Sequence, residues 1–171
     1  IGAVLNDHEF IQILSDNNIS SDGPNFTKSI TLIDNTIKDV KDSLNNIINL
    51  CNEEAILGLI DKSKVDDYYI DFYKELMLTD SDKKDLDSTK KEVTNLSINI
   101  EEFLNKAKEM LLMLKSNSGS WSVSNGQLYF TTDDLVNTYN NLYNELTEKA
   151  KKIQEYNKSS NNGDNSKENV A

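Results

Sequence analysis

Eight residues of this chain, Phe26, Ile30, Ile33, Ile37, Val40, Leu44, Ile47 and Cys51, are separated by steps of 4-3-4-3-4-3-4. A strand alternates with a period of two and would scatter them over both faces. An α-helix gathers them into one stripe, and the seam predicts a helix over about residues 26–52. A second seam, Leu86, Thr89, Val93, Leu96, Ile100, Phe103, Ala107, Met110 and Leu114, steps 3-4-3-4-3-4-3-4 and predicts a helix over about 82–115. At a rise of 1.5 Å per residue it would run roughly 50 Å. A third stripe, Leu135, Tyr139, Leu142, Leu146, Ile153 and Tyr156 with Ala150 beside it, follows the caps Thr131-Thr132-Asp133-Asp134 and predicts a last helix over about 133–157.

Shorter segments fill the spaces between these helices. Asn6-Asp7-His8-Glu9 has the form of a capping box, and Phe10, Ile11, Ile13 and Leu14 extend it into a short helix over about 7–16. Residues 17–25 read as a polar loop ending in the turn Asp22-Gly23-Pro24-Asn25, with Asn25 as the next N-cap. Ile56, Leu57, Leu59 and Ile60 around Gly58 suggest a short buried helix or corner over 53–62. Val65, Tyr69, Phe72 and Leu76 predict a helix over about 63–78 with that stripe inward, and Thr79-Asp80-Ser81-Asp82 stops it and starts the next.

Between the last two long helices the period changes from 3.5 to 2. Ser120-Trp121-Ser122-Val123-Ser124 alternates, Asn125-Gly126 follows, then Gln127-Leu128-Tyr129-Phe130-Thr131. Asn-Gly suits a type I′ turn, whose two central residues both need positive φ. A two-residue loop pairs Trp121 with Phe130 and Val123 with Leu128 on one face, leaving Ser122 and Tyr129 on the other. The expected fold is therefore all-α: an antiparallel up-down helical bundle with one short β-hairpin, about 120–131, before the last helix. Residues 1–157 would form a single domain, and 158–171, rich in Ser, Asn, Gly, Asp and Lys, a disordered polar tail.

Composition narrows function more by exclusion than by indication. All 18 basic residues are Lys, and the chain has one His (His8), one Cys (Cys51) and one Pro (Pro24). A zinc set or a di-metal bundle site needs several His or Cys, so no metal or other cofactor is expected. The formal charge of −11 repels phosphate backbones, and no Arg is present for bidentate contacts, so nucleic acid is not an expected partner. No apolar run approaches 18 residues, so no membrane-spanning segment is expected. Beginning at Ile1, the chain reads as a processed or partial form, with any signal peptide or lipid-bearing Cys upstream.

Several constellations suggest chemistry and fail on inspection. Asp16–Thr27 has the outline of an EF-hand loop, but Ser21 replaces its glycine and Thr27 its bidentate glutamate. His8 lacks a partner for a zinc set, Cys51 sits on a seam, and no Gly-x-Ser-x-Gly elbow occurs, so no catalytic residue is assigned and the chain reads as a non-enzyme. Paired acids such as Glu53-Glu54 and Asp133-Asp134 fall at helix starts, where the helix dipole explains them.

Four aromatic residues remain as candidates for binding a partner. Tyr68 and Tyr73 flank the stripe of their helix and exceed what a core needs, though their rings could equally pack with the hydroxyls in water. Trp121 could anchor a partner or pack on the bundle, and a lone hairpin, marginal in water, argues for packing. Tyr129 lies on the hairpin's other face.

Gly23-Pro24-Asn25-Phe26-Thr27, opening a long helix, resembles the start of the first long helix in spirochaete outer surface protein C and the variable small proteins. The Asn-rich, Arg-free composition, with 23 Asn, is similar to that of proteins from AT-rich genomes. The resemblance implies a helical, lipid-anchored surface protein. The late hairpin and the lack of Ala/Lys-rich character depart from that family. The expectation is a non-enzymatic surface or secreted binding protein, extracellular or at the cell surface, whose bundle presents loops to a protein partner. The alternative is a structural or assembly module, such as a subunit of a toxin or secretion system. A pore-forming role would need an insertable apolar segment, and the Ser-rich hairpin is too short for one.

Overall fold

The computed structural model describes residues 12–59 and 66–164; side-chain placement is described for these except Asp67 and 157–164. Among the described residues six helices and one hairpin follow in order: α1 Asp16–Asp22, α2 Thr27–Leu50, α3 Glu53–Leu57, α4 Asp67–Met77, α5 Asp80–Ser116, β1 Trp121–Ser124, β2 Gln127–Phe130 and α6 Asp133–Asp164. The chain is thus helical, with the hairpin before the last helix, as the spacing predicts. Of the short helix expected over 7–16, residues 7–11 with His8 lie outside the described residues, and 12–15 are turn and bend rather than helix, because Ser15 caps a helix that starts only at Asp16. The chain divides into two compact units, one of residues 1–40 with 98–171 and one of 41–97.

In the first unit the core is a stripe on each of three helices. Phe26, Ile33 and Val40 come from the α2 segment, and Leu142, Leu146 and Ile153 from α6. On α5 the buried set is wider: Ile100, Leu104, Ala107, Met110, Leu111 and Leu114. The expected seam contains neither Leu104 nor Leu111. A helix flanked by two others buries more than a strict a/d stripe, and α5 is flanked by α2 and α6. Lys108 bridges to Asp34 of α2 at 2.6 Å, and Lys106 to Glu145 of α6 at 2.7 Å. Lys149 of α6 also reaches Glu102. The two α5–α6 pairs run in opposite sequence directions, so these helices are antiparallel. α6 continues to Asp164, past the expected end at about 157.

Of the segment expected as a polar loop over 17–25, residues 17–22 are helix, and the expected turn follows at 23–26. In α1 the Ser15 hydroxyl accepts from Asn18 N–H, and Ile19 is fully buried. Asn18 Nδ2 donates to Ile13 O at 2.7 Å and to Ser29 Oγ at 2.8 Å. Ser29 Oγ in turn donates to Asp22 Oδ2 at 2.7 Å. Asp22, not Asn25, caps α2, accepting from the backbone N–H groups of Lys28 (3.2 Å) and Ser29 (2.8 Å). Phe26 precedes the helix with φ of +52°, a left-handed backbone that costs a non-glycine residue roughly 1–2 kcal/mol. Complete burial of its ring holds it there.

The hairpin has the expected register: Trp121 opposite Phe130, Ser122 opposite Tyr129, Val123 opposite Leu128. Asn125 and Gly126 have φ of +52° and +70°, both left-handed as a type I′ turn requires. One face of the hairpin packs inward. Trp121 stacks on Phe26 with centroids 5.9 Å apart, and Phe130 meets Tyr139 of α6 at 5.3 Å. Burial raises the Tyr139 phenol above its ordinary pKa, and Asp16 and Tyr143 add to the rise.

In the second unit, α3 and α4 contact each other, and Lys83 of α5 pairs with Glu53 of α3 at 3.4 Å. The chain breaks at Leu78 and restarts with a reciprocal cap. Thr79 N–H and Oγ1–H both donate to Asp82 Oδ2, and Asp82 N–H donates back to Thr79 Oγ1.

Candidate functional site

Helix α4 is built by local signals at both ends. The Asp66 carboxylate accepts from Tyr68 N–H at 3.1 Å, and Leu78 N–H closes the last turn on Lys74 O at 3.0 Å. Between these caps the sequence is Asp-Tyr-Tyr-Ile-Asp-Phe-Tyr-Lys-Glu-Leu-Met. Seven of these eleven residues are apolar or aromatic, more than one buried stripe can use. Ile70 and Met77, seven residues apart on one line of the helix, are the half-buried side.

The other apolar side chains face outward. Tyr68 is 82% exposed, Leu76 64%, Phe72 59%, Tyr69 53% and Tyr73 41%. At about 100° per residue, these five span an arc of about 140°. The stripe expected to face inward, Tyr69, Phe72 and Leu76, is therefore on the outside. The correction has a simple cause. A helix apolar nearly all round has no period that selects its buried side, and Ile70 with Met77 takes that place. Tyr68 and Tyr73 do lie beside the stripe, as expected, so the structure brings both candidates onto one face with three residues that had been assigned to the core.

The rings are arranged edge to face. Tyr68 and Tyr69 have centroids 5.2 Å apart at 87°, and Phe72 and Tyr73 6.0 Å apart at 71°. Such pairs hold one another in place and leave ring faces open to a neighbour. Lys74 pairs with Asp71 at 3.0 Å along the flank. The face thus offers phenol, phenyl and isobutyl groups, suited to contact and desolvation. A contiguous apolar patch differs in meaning from scattered exposed residues such as Leu112 or Val136, which are ordinary on any surface.

The other two candidates lie on the hairpin. Trp121 is half-buried, and its indole Nε1–H donates to Leu114 O at 2.7 Å. Both its ring and its polar handle are engaged within the fold. Tyr129 is exposed on the outer face and donates to Gln127 Oε1 at 2.9 Å. Cys51, just past α2, is a half-buried free thiol. Among the described residues, no three His, Cys, Asp or Glu side chains converge to hold a metal ion, and no helix is long and apolar enough to cross a membrane.

Comparison with known proteins finds no likeness. No family model matches the chain, and no curated protein or solved structure is significantly similar to it.

Proposed function

We propose that this chain is a non-enzymatic binding protein, surface-exposed or secreted, whose helical body presents α4 to a protein partner. The supporting observation is the outward set Tyr68, Tyr69, Phe72, Tyr73 and Leu76 on a helix that already has a half-buried side in Ile70 and Met77. Tyr and Phe are enriched where proteins meet, because each combines a large rigid apolar surface with low entropic cost of fixation. The extracellular placement rests on the sequence resemblance at Gly23–Thr27. The contact is made by a helix face, a different element from the loops expected of the bundle.

The test is affinity capture from serum or extracellular matrix with the full chain and with a Tyr68→Ser/Phe72→Ser variant of matching circular dichroism. A protein retained by the first and lost by the second supports the reading. Identical retention by both overturns it.

A further inference from the structure

The charges around the α4 face are nearly all of one sign. Helix α4 and its cap hold Asp66, Asp67, Asp71 and Glu75 against Lys74 alone. Lys74 is already paired with Asp71. On the helix projection Glu75 and Asp71 border the arc beside Tyr68, and Asp66 borders it beside Tyr73. Beside the C-terminal end of the helix lies a cleft of about 260 Å³ lined by Ile56, Met77, Leu78 and Leu86 with Asp82 and Asp85; from α4 it takes Met77 of the half-buried side and none of the five outward residues. Hydrogen bonds from the side chain and backbone of Thr79 hold the Asp82 carboxyl below its ordinary pKa, so it is anionic at neutral pH. An apolar floor with a carboxylate edge suits a side chain with an aliphatic stem and a cationic head.

Resting on the reading above, we propose that the α4 face docks a cationic apolar segment of a partner protein, one that interleaves Lys or Arg with aliphatic residues. The aliphatic side chains lie on Phe72 and Leu76. The cations meet Asp66, Asp71 and Glu75 at the edges and the open ring faces of Tyr68 and Tyr69, which attract cations through their quadrupoles. The same charges argue against the other occupants. A second copy would set Asp71 and Glu75 against their own equivalents, where like charges in register repel. An anionic lipid surface would be repelled by the same edge, and a zwitterionic one would gain nothing from it.

The probes are three labelled synthetic peptides of about four helical turns, titrated by fluorescence anisotropy into the full chain: a lysine–leucine amphipathic helix, its glutamate–leucine counterpart, and a lysine–serine peptide. The expected result is selective binding of the lysine–leucine peptide, weakened about tenfold by Tyr68→Ser/Phe72→Ser and by Asp71→Asn/Glu75→Gln. Raising salt from about 0.05 M to 0.3 M should weaken it for the wild type and much less for the carboxamide variant. Equal binding of the glutamate–leucine or lysine–serine peptide overturns the proposal, as does binding of none of the three. So does a dimer in sedimentation velocity that Phe72→Ser abolishes, or adsorption to phosphatidylcholine vesicles through this face. The two readings fail separately. If no peptide selectivity appears but the captured protein is still lost with Tyr68→Ser/Phe72→Ser, the face binds a partner of other chemistry. If that capture is insensitive to the variant, the proposed function itself fails.

Discussion

The indole N–H of Trp121 donates to the carbonyl oxygen of Leu114 across 2.7 Å, so a ring from the hairpin closes the open end of α5. Leu114 lies in the last turn of that helix, and the N–H four residues on, that of Ser118, donates to Lys115 O instead. Its neighbours are served too: Asn117 Nδ2 donates to Met113 O, and Ser118 N–H to Lys115 O. Trp121→Phe keeps an aromatic ring on Phe26 but leaves Leu114 O unpaired, and should cost about 1–3 kcal/mol. Trp121→Ala removes the ring as well and should cost about 3–5 kcal/mol. Chemical denaturation measures both, and a wild-type Trp emission at the wavelength of free indole in water would contradict this placement.

At the hairpin tip the turn chemistry is isolated from packing. A Cβ at Gly126 would meet nothing within 4 Å, so any cost of substitution there is conformational. Gly126→Val should destabilise by roughly 1–2 kcal/mol through its left-handed φ alone. Gly23→Ala fails for the opposite reason. Its backbone is extended at φ −70°, but the new methyl would strike Ile19 O and come within 2.9 Å of the Trp121 ring. Overpacking there should cost about 1–3 kcal/mol. Thermal midpoints of the two variants, with Ser122→Ala as control, check both.

Asp22 makes stability pH-dependent. Burial alone would raise its carboxyl pKa, but hydrogen bonds from Ser29 and Lys28, with the Lys28 charge, outweigh it and leave the pKa lowered. A carboxyl with a depressed folded pKa contributes stability above the ordinary carboxylate range and loses it as pH falls through the folded value. The wild type should therefore lose stability in acid, below about pH 4, more steeply than Asp22→Asn. At neutral pH, Asp22→Ala should cost about 0.5–2 kcal/mol, as for other N-caps. Denaturant midpoints taken from pH 7 downward test both statements.

Ser97 is almost completely buried within α5, and its hydroxyl has no hydrogen-bond partner among the described residues. Replacing it with Ala removes a desolvated polar group and improves helix propensity, so Ser97→Ala should stabilise by about 1 kcal/mol. A lower denaturation midpoint would show that the hydroxyl is satisfied in solution.

Core and face should respond differently to the same kind of change. Leu104→Ala and Ile33→Ala, both fully buried, should each cost about 2–5 kcal/mol. Phe72→Ser on α4 should stay within about 0.5 kcal/mol of wild type, as expected for a surface position. Ile37 and Phe103, central on the expected seams, are only half-buried and should fall between these limits.

What could be read from the sequence depended on how local the determining signal was. Asn125-Gly126 carries its turn type in two residues, so hairpin, register and facing were all legible. The long helices announced themselves by period, but the depth of burial along them did not. That Leu104 and Leu111 go inward depends on α5 having two neighbours, which no single-helix pattern encodes. Helix α1 was missed because Asp16–Asp22 has one apolar anchor, Ile19. Its order comes from the Ser15 cap and the hydrogen bonds of Asn18 to Ile13 and Ser29. On α4 the apolar count was legible and the choice of side was not, so Tyr69, Phe72 and Leu76 were placed in a core that Ile70 and Met77 occupy.

The stacking of Phe26 on Trp121 also bears on the order in which the molecule assembles. The two rings lie 95 positions apart, 121 less 26, whereas α5, the hairpin and α6 are successive neighbours joined by short links. Closing so long a loop carries a larger entropic penalty than closing a turn of two residues. The α5–hairpin–α6 segment is therefore expected to form first, with Trp121 on its surface, and the Phe26 end of α2 to dock on it afterwards. A contact made that late leaves its mark on one rate only. Phe26→Leu should accelerate unfolding and leave refolding almost unchanged, so that the N-terminal attachment sets how long the native state survives while adding little to how fast it is reached.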